Sequence, residues 1–156
     1  MAEIRVRVWR VGRRSESEYL LILRDDLGNP LVLVIGPCEA VSIWTMLRPA
    51  GSPRVLQAPH THDLMRSMVE ALGGRLQQVV IDDLWGGVYY AKLHLAVDGE
   101  LHVVDARPSD AVALALRFDA PLFVTDAVMA ASAEPEEPQG PPPSEPGSGG
   151  ELDELL

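Results

Sequence analysis

The first part of the chain alternates between apolar and polar residues, a pattern typical of β-strands with one buried face. The alternation covers residues 4–11, and two further apolar runs cover 19–24 and 31–35. Residues 25–30 contain Asp, Gly, Asn and Pro, which favour turns. The pattern therefore predicts three consecutive strands.

Two segments then have the spacing of helices. Residues 39–47 predict a helix that ends before a stretch rich in Pro and Gly. A second helix is expected from Thr61, a suitable N-cap, to the pair Gly73 and Gly74. Its apolar residues share one face, and they are Leu64, Met65, Met68, Val69 and Leu72.

Further strands are predicted over 76–84, 88–97 and 101–105. Asp98 and Gly99 are a strong signal for a two-residue hairpin loop. A loop of that length places Lys92 opposite Asp105 on the neighbouring strand.

A third helix is predicted over 108–117, and it is expected to be buried because residues 111–116 are apolar on every side. A strand at 122–124 and a helical turn at 126–131 complete the body. This order predicts an α+β fold with a mixed or antiparallel sheet and three main helices. The single domain covers residues 1–131, and residues 132–156 form a tail rich in Pro, Gly and Glu that we expect to be disordered.

The formal net charge of -10 is mainly a property of this tail. The tail holds seven of the 23 acidic residues and none of the 13 basic ones, so the body is close to neutral and has no general basic field for nucleic acid. The last six residues include three leucines. They are either a frayed end or an acidic, hydrophobic peptide that docks on a protein partner or on the body.

Other features bear on the compartment. Cys38 is the single cysteine, which excludes an internal disulfide. The N-terminus lacks the apolar block of a signal peptide, and no apolar run is long enough to cross a bilayer. The sequence therefore predicts a cytoplasmic protein without membrane contact.

The segment 103–110 brings charged groups to a junction between an apolar strand and an apolar helix. Pro108 suits the first helical position, and Asp110 falls in the first turn, where free amides and the helix dipole favour negative charge. Such a junction is either a self-satisfied structural corner or a site for a phosphate or a metal.

Five segments of the chain resemble, in order, the motifs of the bifunctional nuclease family, whose members act on DNA and RNA. The resemblance covers about residues 31–131. The segments are Val34-Ile35-Gly36 with Cys38-Glu39-Ala40, Thr61-His62-Asp63-Leu64, Val88-Tyr89-Tyr90-Ala91, Asp105-Ala106-Arg107-Pro108-Ser109-Asp110-Ala111 with Ala113-Leu114-Ala115, and Ala120-Pro121-Leu122-Phe123-Val124.

Phosphodiester hydrolysis needs an activated water and stabilised phosphoryl charge, commonly through Mg²⁺ held by carboxylates. Asp105 and Asp110 are the candidate metal ligands, Glu39 is a possible third, and Arg107 is the candidate phosphate clamp. The alternative pairs Asp105 with Lys92 and Arg107 with Asp110, while Glu39 and Asp110 only stabilise helix starts.

The remaining catalytic candidates are His62 and Asp63. His62 is a general base, a ligand beside the 105–110 junction or, with Asp63, a residue that satisfies the free amides of a first helical turn. A further basic group, Arg5, Arg7, Arg10, Arg13 and Arg14, is either a solvated strand face or a stripe that follows phosphates.

Two functions therefore compete. The resemblance favours a nuclease that cleaves DNA and RNA, with Mg²⁺ or another divalent cation as cofactor. The near-neutral body, the low aromatic content and the lack of a metal motif favour a non-catalytic, oligomeric module that binds an anionic ligand and regulates another process. A homo-oligomer is expected in either case if Trp9, Trp44 or Trp85 is exposed.

Overall fold

The computed structural model of the protein describes residues 2–49 and 60–132. It confirms the predicted α+β fold. The strands are β1 (Glu3–Arg13), β2 (Tyr19–Asp25), β3 (Pro30–Ile35), β4 (Gly74–Trp85), β5 (Val88–Val97), β6 (Glu100–Ala106) and β7 (Leu122–Thr125). The helices are α1 (Pro37–Leu47), α2 (Thr61–Ala71), α3 (Pro108–Phe118) and α4 (Asp126–Ala131). Nearly all of the predicted tail, residues 133–156, lies outside the described part.

The seven strands form one mixed sheet in the order β3-β2-β1-β7-β4-β5-β6. Its neighbours are antiparallel except for β4 and β7, which run parallel. The last of the described strands, β7, thus lies between β1 and β4. The edge strands β3 and β6 lead directly into α1 and α3, so the chain enters both helices from an edge of the sheet.

Helix α3 packs against α1, α2 and the central strands, and residues 111–115 are buried, as predicted. These residues join alternate side chains of the sheet in the main core, among them Val6, Leu21 and Leu122. The opposite face of β2 and β3 carries a separate small cluster of Leu20, Ile22 and Val32. The helices that form the core therefore lie on one face of the sheet.

The hairpin between β5 and β6 is also confirmed. Asp98 and Gly99 adopt φ values of 51° and 79°, and Val97 pairs with Glu100. Lys92 therefore lies opposite Asp105, and its Nζ is 2.8 Å from an Asp105 carboxylate oxygen. This hydrogen bond is the main cause of the raised pKa of Lys92, and desolvation acts in the opposite direction.

Helix α2 is confirmed, with one difference at its N-cap. Its N-cap is His60, one residue before the predicted Thr61. Its apolar face is largely exposed, since Leu64, Met68 and Leu72 are 54%, 57% and 77% accessible. The buried residue of this helix is His62. An amphipathic helix normally turns its apolar stripe to the core, so α2 presents an apolar surface that the rest of the described chain leaves uncovered.

The edge strand β6 is a second exposed apolar element. Leu101, Val103 and Val104 are all more than 40% accessible. Trp85 is exposed at the end of β4, Trp9 is partly exposed, and Trp44 is buried. The described residues include no helix long and apolar enough to span a bilayer.

Candidate functional site

A cleft lies on the helix side of the sheet, near the points where the chain passes from the edge strands β3 and β6 into α1 and α3. The cleft lies between α1 and the N-terminal turns of α2 and α3, and its volume is about 800 Å³. Its polar lining includes Glu39, Ser42, His62, Arg107 and Asp110. Three segments that are distant in sequence thus contribute polar or charged side chains to one concave surface.

Local sequence explains why these side chains reach the cleft. Pro37 and Pro108 occupy the first turns of α1 and α3, where a missing backbone N–H is tolerated. Glu39 and Asp110 follow in the same first turns. Gly36 leaves room for the Glu39 carboxylate, because a Cβ at this position would lie 2.6 Å from Glu39 Oε2 and the Glu39 side chain would have to move.

Arg107 connects the two helix starts. Its Nε donates to Asp110 Oδ2 at 2.8 Å, and its Nη2 donates to Glu39 Oε1 at 3.0 Å. The hydrogen bond to Asp110 is the main reason that the pKa of Arg107 is raised. About two thirds of the Arg107 side chain remains accessible, so a ligand in the cleft can reach the guanidinium.

His62 is held on both sides of its ring. Nε2 lies 2.9 Å from Asp110 Oδ1, and Nδ1 lies 2.7 Å from the Ser42 hydroxyl. Because an ionised carboxylate only accepts hydrogen bonds, Nε2 carries a proton, and in the neutral ring Nδ1 accepts from Ser42. Ser42 is buried in α1, so it fixes the orientation of the imidazole.

The charge state of Asp110 follows from its partners. Partial burial by itself raises the pKa of this carboxyl, but hydrogen bonds from Arg107 and His62 outweigh burial and lower the pKa below its ordinary value. Asp110 is therefore ionised at neutral pH. Its two oxygens contact the imidazole and the guanidinium, respectively.

Asp63 belongs to a neighbouring network. One of its oxygens accepts from the His60 backbone at 3.0 Å, and the other accepts from Arg117 Nε at 2.7 Å. The Arg117 side chain is buried and also donates to the Ala113 carbonyl at 3.0 Å. Burial raises the pKa of Asp63, and these hydrogen bonds lower it by more. Asp63 fixes the start of α2 and does not line the cleft.

Asp105 lies apart from this group. It is 86% accessible, pairs with Lys92 and does not line the cleft. Of the sequence candidates, His62, Arg107, Asp110 and Glu39 come together, Asp63 is adjacent, and Asp105 is separate.

The predicted metal ligands do not form a ready-made site. Arg107 already bonds both Glu39 and Asp110, and Asp105 contributes no atom to the cleft. Within residues 2–49 and 60–132, no group of three or more His, Cys, Asp or Glu residues is arranged to hold a metal ion. In this arrangement the residues present do not fit Mg²⁺ coordinated by the three predicted carboxylates.

Sequence reasoning missed two residues of the network. Ser42 lies within an apolar helix, and nothing in its neighbourhood distinguishes it from a packing residue. Arg117 carried a usable signal, because it lies in the last turn of a buried helix that is apolar over 111–116, where a charged group needs a partner.

Comparison with known proteins places the chain in a family. The model of the bifunctional nuclease domain matches residues 21–137. An uncharacterised protein of Mycobacterium tuberculosis is 40% identical over 131 residues, which cover 83% of this chain and 75% of that protein. Bifunctional nuclease 1 of rice (Oryza sativa subsp. japonica) is 32% identical over 117 residues, which cover 72% of this chain and 34% of the rice protein. The chain therefore belongs to the bifunctional nuclease domain family.

Proposed function

We propose that this protein is a nuclease that hydrolyses phosphodiester bonds in DNA and RNA at the cleft between α1, α2 and α3. One observation carries the proposal: an accessible arginine is held by two carboxylates beside an oriented imidazole. Family membership supports the same activity, since the rice relatives are named bifunctional nucleases.

In this proposal Arg107 binds the scissile phosphate. A guanidinium binds two phosphoryl oxygens in parallel as readily as it binds carboxylates. It also offsets the charge that accumulates on the phosphoryl oxygens in the transition state. Glu39 keeps the side chain at the mouth of the cleft until the phosphate arrives.

The pair of His62 and Asp110 handles the proton. In this step a water gives its proton to a carboxylate oxygen of Asp110 while its own oxygen bonds to phosphorus. The bond from phosphorus to the leaving sugar oxygen breaks, and that oxygen takes a proton from solvent. His62 donates its Nε2–H to Asp110, and Ser42 keeps the ring oriented during the transfer. General acid–base catalysis by one positioned group contributes about 10²- to 10⁴-fold in rate. A requirement for Mg²⁺ stays a prediction, and none of these roles depends on it.

The test is a nuclease assay on short DNA and RNA substrates with Mg²⁺ and, separately, with EDTA. Asp110→Asn and Arg107→Gln are expected to lower cleavage at least about 100-fold. Asp105→Asn is the matched control, because it removes the same charge from the same junction but lies outside the cleft. If Asp105→Asn lowers cleavage as much as Asp110→Asn, the cleft is not the active site.

A second candidate function uses the same cleft without catalysis. The exposed apolar face of α2 and the exposed strand β6 suit an assembly of several copies. The ion pairs within the cleft are also mutually satisfied without a substrate. In this alternative the protein is a homo-oligomeric module that binds an anion at Arg107 and regulates another process. Anion binding that requires Arg107, together with no cleavage under any metal condition, would select this alternative.

A further inference from the structure

The sheet face opposite the helices carries arginines and aromatic rings on three adjacent strands. Val6 of β1 packs in the main core. Its neighbours Arg5 and Arg7 therefore point to the other face, since side chains alternate along a strand. Arg5 pairs with Phe123 of β7, and Arg7 pairs with Arg24 of β2. Residues that pair directly lie on the same face, so these four side chains share the surface away from the cleft.

A β-bulge adds two more side chains. The register between β1 and β2 shifts between Val8 and Arg10, which leaves Trp9 as the extra residue. The Arg24 guanidinium lies 3.4 Å from the centre of the Trp9 ring, and the Arg10 guanidinium lies 5.6 Å from it. Arg5 likewise lies 5.7 Å from the centre of the Phe123 ring. We call this surface the arginine face: Arg5, Arg7, Trp9, Arg10, Arg24 and Phe123.

The arginine face places several guanidinium groups side by side on neighbouring strands. Arg7 and Arg24 lie directly opposite each other on β1 and β2. Among the described residues of β1, β2 and β7, Glu3 is the acidic residue that shares this face. The body as a whole is close to neutral, so a local group of four arginines is not an average property of the surface.

We propose that the arginine face binds single-stranded nucleic acid, with guanidinium groups on phosphates and the partly accessible rings of Trp9 and Phe123 against bases. A positive surface combined with aromatic rings is the usual combination for single strands. The proposal rests on the proposed function for the class of ligand only. It assigns a binding surface on the side of the sheet opposite the cleft, so the two sites can be disabled separately.

The test measures, by fluorescence anisotropy, how the full chain binds a labelled single-stranded phosphorothioate 12-mer that resists nucleases. The titrations are done in EDTA and over a range of salt concentrations. Arg5→Ala with Arg7→Ala is expected to weaken binding at least about tenfold. It is also expected to lower the slope of log Kd against log salt by about 1.4, since each phosphate contact on a single strand contributes about 0.7. Replacing both residues by Lys is expected to restore most of the affinity, because Lys keeps the charge.

Arg66→Ala is the matched control. Arg66 is exposed on α2, on the helix side, and its loss is expected to leave the affinity unchanged. Circular dichroism checks that each variant is folded. Equal affinities for the Arg5 and Arg7 variants, the Arg66 variant and the original protein would overturn the proposal.

Two further outcomes are informative. In the first, the seven acidic residues of the tail are replaced by their amides. If binding appears only after this change, the tail is the occupant of the arginine face, and the proposal is contradicted. Asp110→Asn is expected to retain binding while it loses cleavage. If Asp110→Asn still cleaves, the proposed active site fails, and the binding result remains independent of it.

Discussion

The ion pair between Asp63 and Arg117 gives the sharpest prediction on stability. The Arg117 side chain is 1% accessible, and its Nη2 has no hydrogen-bond partner in the described part of the chain. Asp63→Ala would leave this guanidinium buried without a counter-charge. Removing one partner of a buried pair costs about 3–5 kcal/mol. Because the Asp63 side chain is 41% accessible, water replaces part of the interaction, and we expect a loss of about 2–3 kcal/mol.

The assay is urea unfolding at pH 7, with an unchanged m-value as the check that the unfolding transition itself is the same. The same helix supplies a control, since Arg66 and Glu70 form an exposed pair one turn apart. Glu70→Ala is expected to cost less than about 0.5 kcal/mol. Losses of similar size for Asp63→Ala and Glu70→Ala would refute the argument that burial of Arg117 sets the energy.

The stabilisation that Asp63 provides is expected to depend on pH in a definite direction. The folded-state pKa of Asp63 is lowered, so the unfolded chain binds the proton more readily. Its contribution to stability is present above the unfolded pKa of about 3.9 and is lost as the pH falls through the folded pKa. The difference in unfolding free energy between the original protein and Asp63→Ala is therefore expected to shrink only below about pH 4.

Three further predictions test other parts of the structure. Gly36→Ala is expected to push Glu39 away from Arg107, because the new Cβ meets Glu39 Oε2 at 2.6 Å. Calorimetry with inorganic phosphate is expected to show a changed affinity. An unaltered affinity would contradict a role for Glu39. Gly99→Ala is expected to cost about 1–2 kcal/mol by thermal unfolding, since Gly99 has a φ of 79°, and a neutral result would contradict the strained turn. Val103→Lys places a charge on the exposed strand β6. If copies associate through this edge, the molar mass of the assembly measured by light scattering is expected to fall. An oligomer of unchanged mass would place the interface elsewhere.

Local signals predicted the elements of this fold and part of its register. The Asp98-Gly99 loop determined that Lys92 faces Asp105, because a two-residue turn leaves one antiparallel alignment. The continuous apolar surface of α3 predicted its burial for a similar reason, since no polar face was available to water. Both inferences depended on neighbouring residues only.

The site itself was only partly predictable. The motif around Asp105 to Asp110 placed three charged residues together in sequence, but a strand residue and a helix residue of that segment point to different surroundings. The contacts of Arg107 with Glu39 and of His62 with Ser42 join segments that are far apart in the chain. Such contacts are determined by how the helices pack, and one sequence carries no pattern for that packing.

The central position of β7 has a consequence for the order of assembly on the ribosome. Strands β1 to β3 can pair as an antiparallel meander while later residues are still being synthesised. Strands β4 to β6 can form a second antiparallel meander. Among the described strands, β7 (Leu122–Thr125) alone joins these two groups of strands within the sheet. A nascent chain that has not yet reached this short segment therefore holds two separate β-sheets with unpaired edge strands. Unpaired edges are prone to aggregation and mispairing.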